Sequence, residues 1–493
     1  MSLYNHSIYN TQQIRKCEQL AYEQFNISPQ VLMERAGKAV CDILLQRFSS
    51  AKNIAVFCGG GNNGGDGYVV ARLLHQHGLV VTVWQVGQQD NLSTEAKTAR
   101  QACKQSGVVI QPFHVTADLQ HPDVVVDALC GIGVTKKLRE DWLIVIKNMQ
   151  ALDVPVMAVD VPSGVLADTG QVFDIAVRAT ITVTFIGLKL GLLTSHGIAH
   201  AGEVICDTLQ LPNELFSQVQ ATAEQIQIKS YAHYLKPRSR DWHKGLSGHV
   251  LIVGGDVGFS GAARMAAEAA LRVGCGLVSV ATRPEHAAIL NASCPEIMSH
   301  AVKDVAQLES LALRADVMIV GPGLGQSDWA KSLWQYIGGL KLPLVVDADG
   351  LNLLSHVAKV KENWILTPHP GEAGRLLKIK PQEVQQDRLQ AVRALQKRYG
   401  GVCVLKGAGS LILAPDTLPA VCDKGNPGMS TAGMGDILSG IIGGLLAQKI
   451  PIDVAAKLGV LLHAMAGDLA AEQGERGMLA TDLLPYLRRL VNE

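Results

Sequence analysis

The stretch that decides the fold runs from residue 53 to residue 86 and reads NIAVFC, GGGNNGGDG, YVVARLLHQHG and LVVTVWQV. A β-branched run, a glycine-rich loop, a helical pattern and a second β-branched run follow one another in the order of a βαβ unit. The series continues with HPDVVVDAL at 121–129, PVMAVDV at 155–161 and TITVTF at 180–185. This order predicts an α/β fold with a mostly parallel sheet, whose ligands bind beyond the carboxyl ends of the strands.

A second α/β series fills the rest of the chain. Its apolar runs are HVLIVGG at 249–255, GLVSVAT at 276–282, VMIVGPG at 317–323, PLVVDADG at 343–350, WILTPHPGE at 364–372 and VCVLKGAGS at 402–410. A helical block follows from Met434. Residues 211–235, between the two series, are rich in Gln and weakly periodic, which indicates a connecting segment. We therefore predict two α/β domains, at 1–220 and 225–493.

Length and charge narrow the classes of function. The chain has 493 residues, of which 48% are hydrophobic and 18% charged, enough for a large core. Its 44 basic residues balance 44 acidic residues, so no net charge would attract nucleic acid or an anionic membrane surface. We find no run of about 18 apolar residues and no signal peptide pattern at the start. Ten cysteines without a C-x-x-C pair predict reduced thiols, so we expect a cytoplasmic protein.

The glycine-rich loop contains G-x-G-x-x-G, in which glycines let the backbone approach phosphate at a helix N-terminus. The acid that usually binds the ribose about 20 residues later is absent, because glutamine and glycine stand at 85–88. A tight turn without ligand is the alternative, but so many glycines and asparagines exceed what a turn needs. Two strand ends add the carboxylates of Asp127 and Asp160, the latter followed by Ser163. We predict a nucleotide-like ligand in this crevice.

Four separated motifs carry a family resemblance: MERAG at 33–37, GGGNNGGDGYVVAR at 59–72, VVDALCGIG at 125–133 and VDVPSG at 159–164. In this order they resemble the NAD(P)H-hydrate epimerase family, a Rossmann-like α/β domain with a doubly wound sheet. The resemblance implies that the hydrated nucleotide is bound by Asn62, Asn63, Gly64, Gly65, Asp66, Gly131, Ile132, Gly133, Val134, Thr135, Lys136, Lys137 and Asp160. It also implies a potassium ion on Asn63, Asp127 and Ser163, hard oxygen ligands that suit a hard cation.

For epimerisation at carbon 6 of such a hydrate, the protein needs to supply a group that transfers a proton. Loss of hydroxide leaves a cation that the ring nitrogen stabilises, and water can attack it from either face. A carboxyl within hydrogen-bond reach of the leaving or entering oxygen would carry the proton. We expect Asp160 to be this catalytic acid/base residue; if it only orients the ligand, its removal raises KM more than it lowers kcat.

A second glycine-rich segment, GNPGMSTAGMGD at 425–436, opens the helical stretch ILSGIIGGLLA. Small residues at a helix start present N–H groups to an anion, and Asp436 follows as a candidate base. A plain N-cap before a buried helix is the alternative. No G-x-x-x-x-G-K-[ST] occurs, which excludes a P-loop NTPase.

Six further motifs accompany this segment: HKGLSGHVLIVGG, FSGAA, VGPGLG, DADGLNLL, LTPHPGE and VLKGAGS. Together they resemble the ADP-dependent NAD(P)H-hydrate dehydratase family, of ribokinase-like α/β fold. The resemblance implies that Lys406, Gly407, Ala408, Gly409, Ser410 and Gly435 bind the adenine nucleotide, and that Ala262, Gly323, His369 and Asp436 contact the hydrate. Two positions depart from the family pattern: Met434 replaces the usual Thr or Ser, and Ser410 often appears as Thr. We expect the backbone N–H groups of the anion site to survive the first change.

Three residues of the second half keep a structural alternative. His369, between two prolines, would be a turn residue if it stood alone. Asp347 and Asp349 either bind magnesium through water or cap the next helix.

Together the resemblances imply a bifunctional isomerase and lyase that repairs hydrated NADH and NADPH. The first domain would interconvert the R and S hydrates, and the second would use ADP as co-substrate to return the S hydrate to NAD(P)H, giving AMP and phosphate, with Asp436 as the base. Potassium and magnesium are the implied ions. A ribokinase-like small-molecule kinase with an N-terminal nucleotide-binding module is one alternative, and a first domain that only binds is another. The resemblance also suggests a homo-oligomer.

Overall fold

The computed structural model describes residues 6–87, 92–115, 119, 121–134 and 136–493. The chain divides into two compact units, Met1–Glu224 and Gln225–Glu493. The glycine-rich loop at 59–67 belongs to the first unit, and the segment at 425–436 belongs to the second.

The first unit is built on a seven-stranded sheet in which neighbouring strands are all parallel. The strands of this unit are β1 (Ser7–Ile8), β2 (Asn53–Cys58), β3 (Val80–Gln85), β4 (Val109–Pro112), β5 (Val124–Ala128), β6 (Val156–Val159), β7 (Ile181–Phe185), β8 (Glu203–Asp207) and β9 (Ala223–Gln225). Outside the sheet, β1 and β9 pair antiparallel. The sheet order is β4-β3-β2-β5-β6-β7-β8. The order reverses between β2 and β5, which is where ligands bind in such sheets.

Helices cover both faces of this sheet. They are α1 (Thr11–Phe25), α2 (Pro29–Arg47), α3 (Asn62–Gln76), α4 (Thr94–Gln105), α5 (Glu140–Ala151), α6 (Leu190–Leu193), α7 (Ile198–Ala201) and α8 (Asn213–Phe216). Successive residues of β2 point to opposite faces, and both faces are buried: Val56 packs in one apolar cluster and Phe57 in the other. Burial on both faces explains why the strands read as continuous apolar runs.

The second unit holds the strands β10 (His249–Val253), β11 (Leu277–Thr282), β12 (Met298–Ala301), β13 (Val317–Val320), β14 (Leu344–Val346), β15 (Trp364–Leu366), β16 (Val402–Leu405), β17 (Ser410–Leu413) and β18 (Ala420–Cys422). Their order is β18-β17-β16-β15-β14-β13-β10-β11-β12. Pairing is parallel from β12 to β16, whereas β17 is antiparallel to both of its neighbours β16 and β18. The predicted fold class, α/β with a Rossmann-like first half and a ribokinase-like second half, is confirmed.

The helices of the second unit are α9 (Ile228–Tyr231), α10 (Ser260–Arg272), α11 (Pro284–Ala287), α12 (Val305–Ala312), α13 (Asp328–Ile337), α14 (Ala348–His356), α15 (Pro370–Leu377), α16 (Pro381–Gln386), α17 (Arg388–Tyr399), α18 (Met434–Ala447), α19 (Ile452–Ala471) and α20 (Leu484–Leu490). By length and composition, α19 could cross a membrane, which the search for apolar runs did not anticipate. Of its most apolar stretch, 72% is buried inside the unit, as in the core helix of a globular domain.

Sequence reasoning missed the sheet-edge strands β4 and β8 in the first unit and β12 in the second, and it also missed the short strands β1, β9, β17 and β18. Edge strands bury only part of their side chains, as β4 does with its pattern of exposed and half-buried residues, so their apolar signal is weak. All ten cysteines are free thiols, and eight of them are buried, as expected of reduced protein.

Candidate active sites

A cavity of about 950 Å³ opens where the strand order of the first sheet reverses. The loops that follow β2, β5, β6 and β7 form its walls, together with α1 and α2. The sequence-predicted residues that line it are Asn62, Asn63, Asp66, Gly131, Ile132, Gly133, Val134, Lys136, Lys137 and Asp160. Thr135 lies outside the described residues. The nucleotide-binding residues predicted from the first resemblance therefore largely surround one cavity.

Gly64 and Gly65 do not line this cavity, because both are buried against the protein. A Cβ atom on Gly64 would lie 2.1 Å from the carbonyl oxygen of Gly59, and one on Gly65 would lie 2.5 Å from Met33 Cε. Because these two positions carry no side chain, the first turn of α3 can pack directly against Gly59 and Met33. Gly61 precedes α3 and makes no side-chain cap, so the N–H groups of the first helical turn are left for water or a ligand.

Asp160 stands at the end of β6 with a backbone φ of 68°, a left-handed conformation that is unusual for a residue with a side chain. Its Oδ1 accepts hydrogen bonds from Lys189 Nζ at 2.6 Å and from Thr184 Oγ1 at 3.2 Å. Lys189 is fully buried and also donates to the Phe185 carbonyl at 2.7 Å. A Cβ on Gly131 would lie 2.9 Å from the other oxygen, Oδ2. Lysine therefore fixes one carboxylate oxygen while the second faces the cavity.

Two further carboxyls share the cavity with Asp160. Asp66 has its pKa raised well above the usual range by burial, by the charge of Asp160 and by that of Glu18. Glu18, on α1, has its pKa raised by burial and by Asp160, whereas Lys189 and Arg15 act in the opposite direction. The cavity thus holds one carboxylate paired with lysine beside carboxyls that resist ionisation, which is the electrostatic arrangement of an acid/base site.

Of the residues predicted to hold a cation, Asn63 lines this cavity, whereas Asp127 and Ser163 are buried outside its lining. Ser163 donates to both oxygens of Asp127, from Oγ at 2.6 Å and from the backbone N at 2.8 Å. Cys130 N donates to Ser163 Oγ at 3.0 Å, and a Cβ on the next residue, Gly131, would lie 3.2 Å from Asn63 Oδ1. Neither Asn63 Oδ1 nor Nδ2 has a hydrogen-bond partner among the described residues, although both are buried.

This donor set fits a monovalent cation. Burial raises the pKa of Asp127 to about 6, and the described groups that lower it are hydrogen-bond donors of Ser163 and Leu129 rather than a lysine or arginine. A bound cation would stabilise a buried carboxylate that has no cationic side chain, and a buried amide oxygen without a hydrogen-bond partner could also serve as its ligand. Within the described ranges no cluster of three or more His, Cys, Asp or Glu that could hold a metal ion is present.

In the second unit a cavity of about 370 Å³ lies at the start of α18. Lys406, after β16, donates to Asp347 Oδ1 at 2.7 Å, and Ser439 Oγ donates to Asp347 Oδ2 at 2.7 Å. A Cβ on Gly435 would lie 3.1 Å from Lys406 Nζ. The predicted residues that line the cavity are His369, Lys406, Gly407, Gly435 and Asp436. A half-buried lysine paired with a buried carboxylate is therefore placed against a helix N-terminus.

The charges of this cluster act on Asp436. Its pKa is raised to about 7 by burial and by Asp347, Glu372 and Asp349, while Lys406 acts in the opposite direction. Glu372 is buried, and its pKa is raised to about 7 by burial and by Asp347, against the effect of Lys406. Asp436 is thus poised to lose or accept a proton near neutral pH, as a general base requires.

The start of α18 presents backbone N–H groups, because Gly433 precedes the helix and makes no side-chain cap. Met434, which departs from the family pattern, is 6% exposed and packs in the apolar core of the unit. Its side chain therefore points away from the cavity, and the backbone of the helix start is retained as expected. Gly433 is the N-cap and a buried helix follows it, so the structural alternative holds alongside the predicted anion site, which stays a prediction.

His369 and Asp347 each precede a helix, but only the side chain of His369 makes a capping hydrogen bond. His369 is the N-cap of α15: its Nδ1 accepts from Gly371 N at 3.0 Å, so the structural alternative holds alongside its place in the cavity wall. Asp347 precedes α14 but makes no capping hydrogen bond, because Lys406 and Ser439 occupy its oxygens. The cap alternative is therefore wrong for Asp347.

Of the other predicted residues, Ala408, Gly409 and Ser410 follow Gly407 along the chain but do not line this cavity, and Ala262 and Gly323 form a separate group. A Cβ on Gly323 would lie 3.2 Å from Ala262 Cβ, so these two residues are neighbours. Neither lines the cavity around Asp436. Asp349 links the two groups, because its Oδ2 accepts from Gly325 N at 2.9 Å and its charge raises the pKa of Asp436.

Sequence reasoning missed Lys189 and Glu372, which the structure places in direct contact with predicted site residues. Lys189 lies in the apolar stretch IGLKLGLL, where a single lysine is a signal, since an unpaired lysine is rarely buried. Glu372 belongs to the motif LTPHPGE but was given no role. Glu372 lies in the first turn of α15, and its carboxylate accepts a hydrogen bond from the backbone N of the N-cap residue His369 at 2.9 Å.

Comparison with known proteins supports both halves. A family described as YjeF-related protein N-terminus matches residues 29–191, and one described as NAD(P)H-hydrate dehydratase matches residues 250–489. The bifunctional NAD(P)H-hydrate repair enzyme Nnr of Coxiella burnetii is 50% identical over 98% of this chain and 99% of its own. Its counterpart from Escherichia coli is 43% identical over 99% of this chain and 94% of its own.

Among solved structures, a protein of Streptococcus mutans described as hypothetic is 29% identical with a TM-score of 0.51, and covers 55% of this chain and 100% of its own. Both predicted resemblances are confirmed by the full-length relatives. The chain belongs to the family of bifunctional NAD(P)H-hydrate repair enzymes.

Proposed function

We propose that the first unit epimerises the R and S hydrates of NADH and NADPH and that the second unit dehydrates the S hydrate with ADP. In this assignment residues 1–220 are the epimerase domain and residues 225–493 the dehydratase domain. One observation carries it: each unit places a glycine-rich helix start beside a lysine–carboxylate pair and a carboxyl of raised pKa.

In the first unit, Asp160 is the residue to which we assign proton transfer. Lys189 occupies Oδ1, which leaves Oδ2 for the oxygen that leaves or attacks carbon 6. The ring nitrogen pushes out the hydroxyl, which takes up a proton, and a water on the other face gives up a proton as it adds. The raised pKa of Asp66 keeps a second, neutral carboxyl in the cavity that can donate a hydrogen bond to these oxygens.

We assign a potassium ion to Asn63, Asp127 and Ser163, on the grounds of the buried, unpartnered Asn63 amide and the buried Asp127 carboxylate. Such an ion supplies a fixed positive charge near the glycine-rich loop. Ser163 Oγ donates to Asp127 and accepts from Cys130 N, which lies in the loop after β5. The proposed ion site is therefore hydrogen-bonded to the loop that continues into the nucleotide-binding residues 131–137.

In the second unit, Asp436 is the base that takes the proton of the carbon-6 hydroxyl. The freed oxygen attacks the terminal phosphorus of ADP, and AMP leaves. The ring nitrogen then expels phosphate, and loss of a proton from the neighbouring ring carbon restores the dihydropyridine. The N–H groups at the start of α18 and the ammonium of Lys406 stabilise charge on the transferred phosphoryl group.

ADP as co-substrate and magnesium as its ion complete the proposal. Lys406 and Ser439 already donate to both oxygens of Asp347, so magnesium fits here through its bound waters rather than by direct ligation. We assign the adenine nucleotide to residues 406–410 and Gly435, and the hydrate to the neighbourhood of Ala262, Gly323 and His369. Cytoplasmic location, homo-oligomerisation and the absence of nucleic acid or membrane partners belong to the same proposal.

The test uses the purified full-length chain with a mixture of R and S NADPH hydrates, potassium, magnesium and either ADP or ATP. Recovery of the absorbance of the reduced nicotinamide is followed to completion. Complete recovery with ADP requires both activities, since dehydration alone stops once the S hydrate is used, apart from slow spontaneous epimerisation. No recovery with either nucleotide would reject the dehydratase and restore the kinase alternative.

Asp160→Ala separates an epimerase from a domain that only binds. We expect this variant to stop at the S fraction of the mixture, while dehydration of pure S hydrate is unchanged. Asp42→Ala, an exposed carboxylate on α2 paired with Lys38, is the matched control and should recover the whole mixture. Full recovery by Asp160→Ala would assign the first unit to binding.

A further inference from the structure

Arg388 is the first residue of α17 and lies beneath the loop at 406–410 to which we assign the nucleotide. It is 1% exposed. Its NH2 group donates to the carbonyl oxygens of Leu405 at 3.1 Å, Lys406 at 3.2 Å and Gly409 at 3.4 Å, and its NH1 donates to Gln385 Oε1 at 2.6 Å. One buried guanidinium therefore holds both ends of the loop.

These bonds fix the direction of the loop's N–H groups. No cis peptide occurs in the described chain, and in a trans peptide the C=O of one residue points opposite to the N–H of the next. The Lys406 carbonyl faces Arg388, so the Gly407 N–H faces away from it, on the side where Gly407 lines the cavity. The neighbouring peptide obeys the same geometry: the Leu405 carbonyl faces Arg388, and the Lys406 N–H donates to Pro368 O at 2.9 Å.

Gly407 is adapted to this arrangement. Its φ of 136° is a conformation that residues with a side chain rarely adopt, and a Cβ there would lie 3.0 Å from Arg388 NH1. The guanidinium can lie directly against the loop backbone because no side chain intervenes. Burial lowers the pKa of Arg388 only to about 10, so the group stays positively charged at neutral pH. A fixed positive charge thus lies under a loop whose outer N–H faces the site of the transferred phosphate.

We propose that Arg388 is a positioning residue for the nucleotide: it holds the carbonyls of the 406–410 loop inward and thereby aims the loop's N–H groups and Lys406 at the ADP phosphates. Arg388 itself does not touch the reactants. The proposal rests on the function proposed above, because it presumes that this loop binds ADP. It goes beyond that function because it names Arg388 as the residue on which the affinity for ADP depends, while the affinity for the hydrate does not depend on it.

The test compares Arg388→Met and Arg388→Lys with the wild type, all as full-length chains. Arg393→Met is the matched control, since Arg393 is exposed on the same helix. With S hydrate and ADP varied separately, we expect Arg388→Met to raise KM for ADP about tenfold or more, because three carbonyls lose a charged donor, and to leave KM for the hydrate within about twofold. Arg388→Lys keeps the charge with a less suited donor and should restore part of the affinity.

Two readouts separate positioning from general stability. Epimerisation by the same chain should be unchanged in every variant, and the melting temperature of the second unit should not explain the change in KM. An unchanged KM for ADP in a folded Arg388→Met variant would overturn the proposal. So would an equal rise of both KM values that lysine does not relieve.

If Arg388→Met does not fold, Arg388→Lys decides alone: a raised KM for ADP at wild-type melting temperature supports positioning, and an unchanged KM overturns it. The dissociation constant of ADP, measured by calorimetry, keeps the two proposals distinguishable. If the wild type binds ADP but does not dehydrate the hydrate, the proposed function fails, whereas the effect of Arg388→Met on ADP binding still supports or overturns the role of Arg388.

Discussion

Replacing Asp436 with Asn should abolish dehydration and, at the same time, stabilise the second unit. Burial and the charges of Asp347 and Glu372 raise the pKa of Asp436 from 3.8 to about 7, so an ionised Asp436 destabilises the folded state. This rise in the pKa corresponds to about 4 kcal/mol at pH 8. Asparagine has the same shape but no charge, so the variant avoids this cost.

The sign of the pH dependence follows from the two pKa values. Below about pH 4 the carboxyl is protonated in both the folded and the unfolded chain, and the substitution changes little. Between pH 4 and pH 7 the folded chain keeps a proton that the unfolded chain has released, so the wild type loses stability as pH rises. The advantage of Asp436→Asn should therefore be about 1–2 kcal/mol at pH 5 and about 4 kcal/mol at pH 8.

Differential scanning calorimetry of the full-length chain measures this difference. For a domain of this size about 1 kcal/mol moves the melting temperature by about 2 °C, so we expect the transition of the second unit to rise by about 3 °C at pH 5 and about 8 °C at pH 8. The transition of the first unit should not move. Asp328→Asn, which alters a fully exposed carboxylate on α13, should change the melting temperature by much less at either pH.

The same substitution, Asp436→Asn, should lower dehydratase activity while it raises the melting temperature of the second unit. Loss of a general base lowers kcat by about 100-fold to 10,000-fold, and in the wild type kcat/KM should fall about tenfold for each pH unit below about 7. An Asp436→Asn variant whose melting temperature matches the wild type at pH 8 would refute the electrostatic account of this site. A stabilised variant that keeps its activity would refute the assignment of Asp436 as the base.

Three further changes test the first unit, each with the second unit as an internal control. Lys189→Met leaves Asp160 buried without its cation and should destabilise the unit by about 3–5 kcal/mol in denaturant unfolding and abolish epimerisation. Gly131→Ala places a methyl group 2.9 Å from Asp160 Oδ2 and 3.2 Å from Asn63 Oδ1, so epimerisation should fall while the fold, followed by circular dichroism, is kept. Asp127→Asn should remove the stabilisation that potassium, compared with sodium, gives to the melting temperature; an equal response to both ions in the wild type would contradict the assigned ion.

Much of both sites could be predicted from the sequence, because their backbone requirements restrict the residue type. A strand that ends in a glycine-rich loop marks where α3 begins, and the carboxylates of Asp127 and Asp160 stand at fixed points after β5 and β6. In parallel sheets those points converge at one edge, so residues distant in sequence could be assigned to one crevice. The structure brings Asn63, Asp66 and Asp160 to the same cavity.

The partners of these carboxylates could not be predicted in the same way. Lys189 reaches Asp160 because β7 neighbours β6 and the chain then turns back into α6, a register that single-sequence periodicity does not reveal. Arg388 reaches the 406–410 loop from α17, and its distance along the chain carries no signal of contact. Such pairings depend on tertiary packing, and only the composition of the surrounding stretch, a charged residue among apolar neighbours, marks them.

The two units differ in topology, but both place a lysine–carboxylate pair next to a second carboxyl group. In the proposed reactions each unit transfers a proton at an oxygen beside a nucleotide. Each contains a buried carboxylate bonded to a lysine: Asp160 with Lys189 at 2.6 Å, and Asp347 with Lys406 at 2.7 Å. The carboxylate of each pair raises the pKa of a neighbouring carboxyl, Asp66 in the first unit and Asp436 in the second. The lysine compensates the first charge, so a second carboxyl can be buried close by in its neutral form. Removal of either lysine should therefore alter the pH profile of one activity and leave that of the other unchanged.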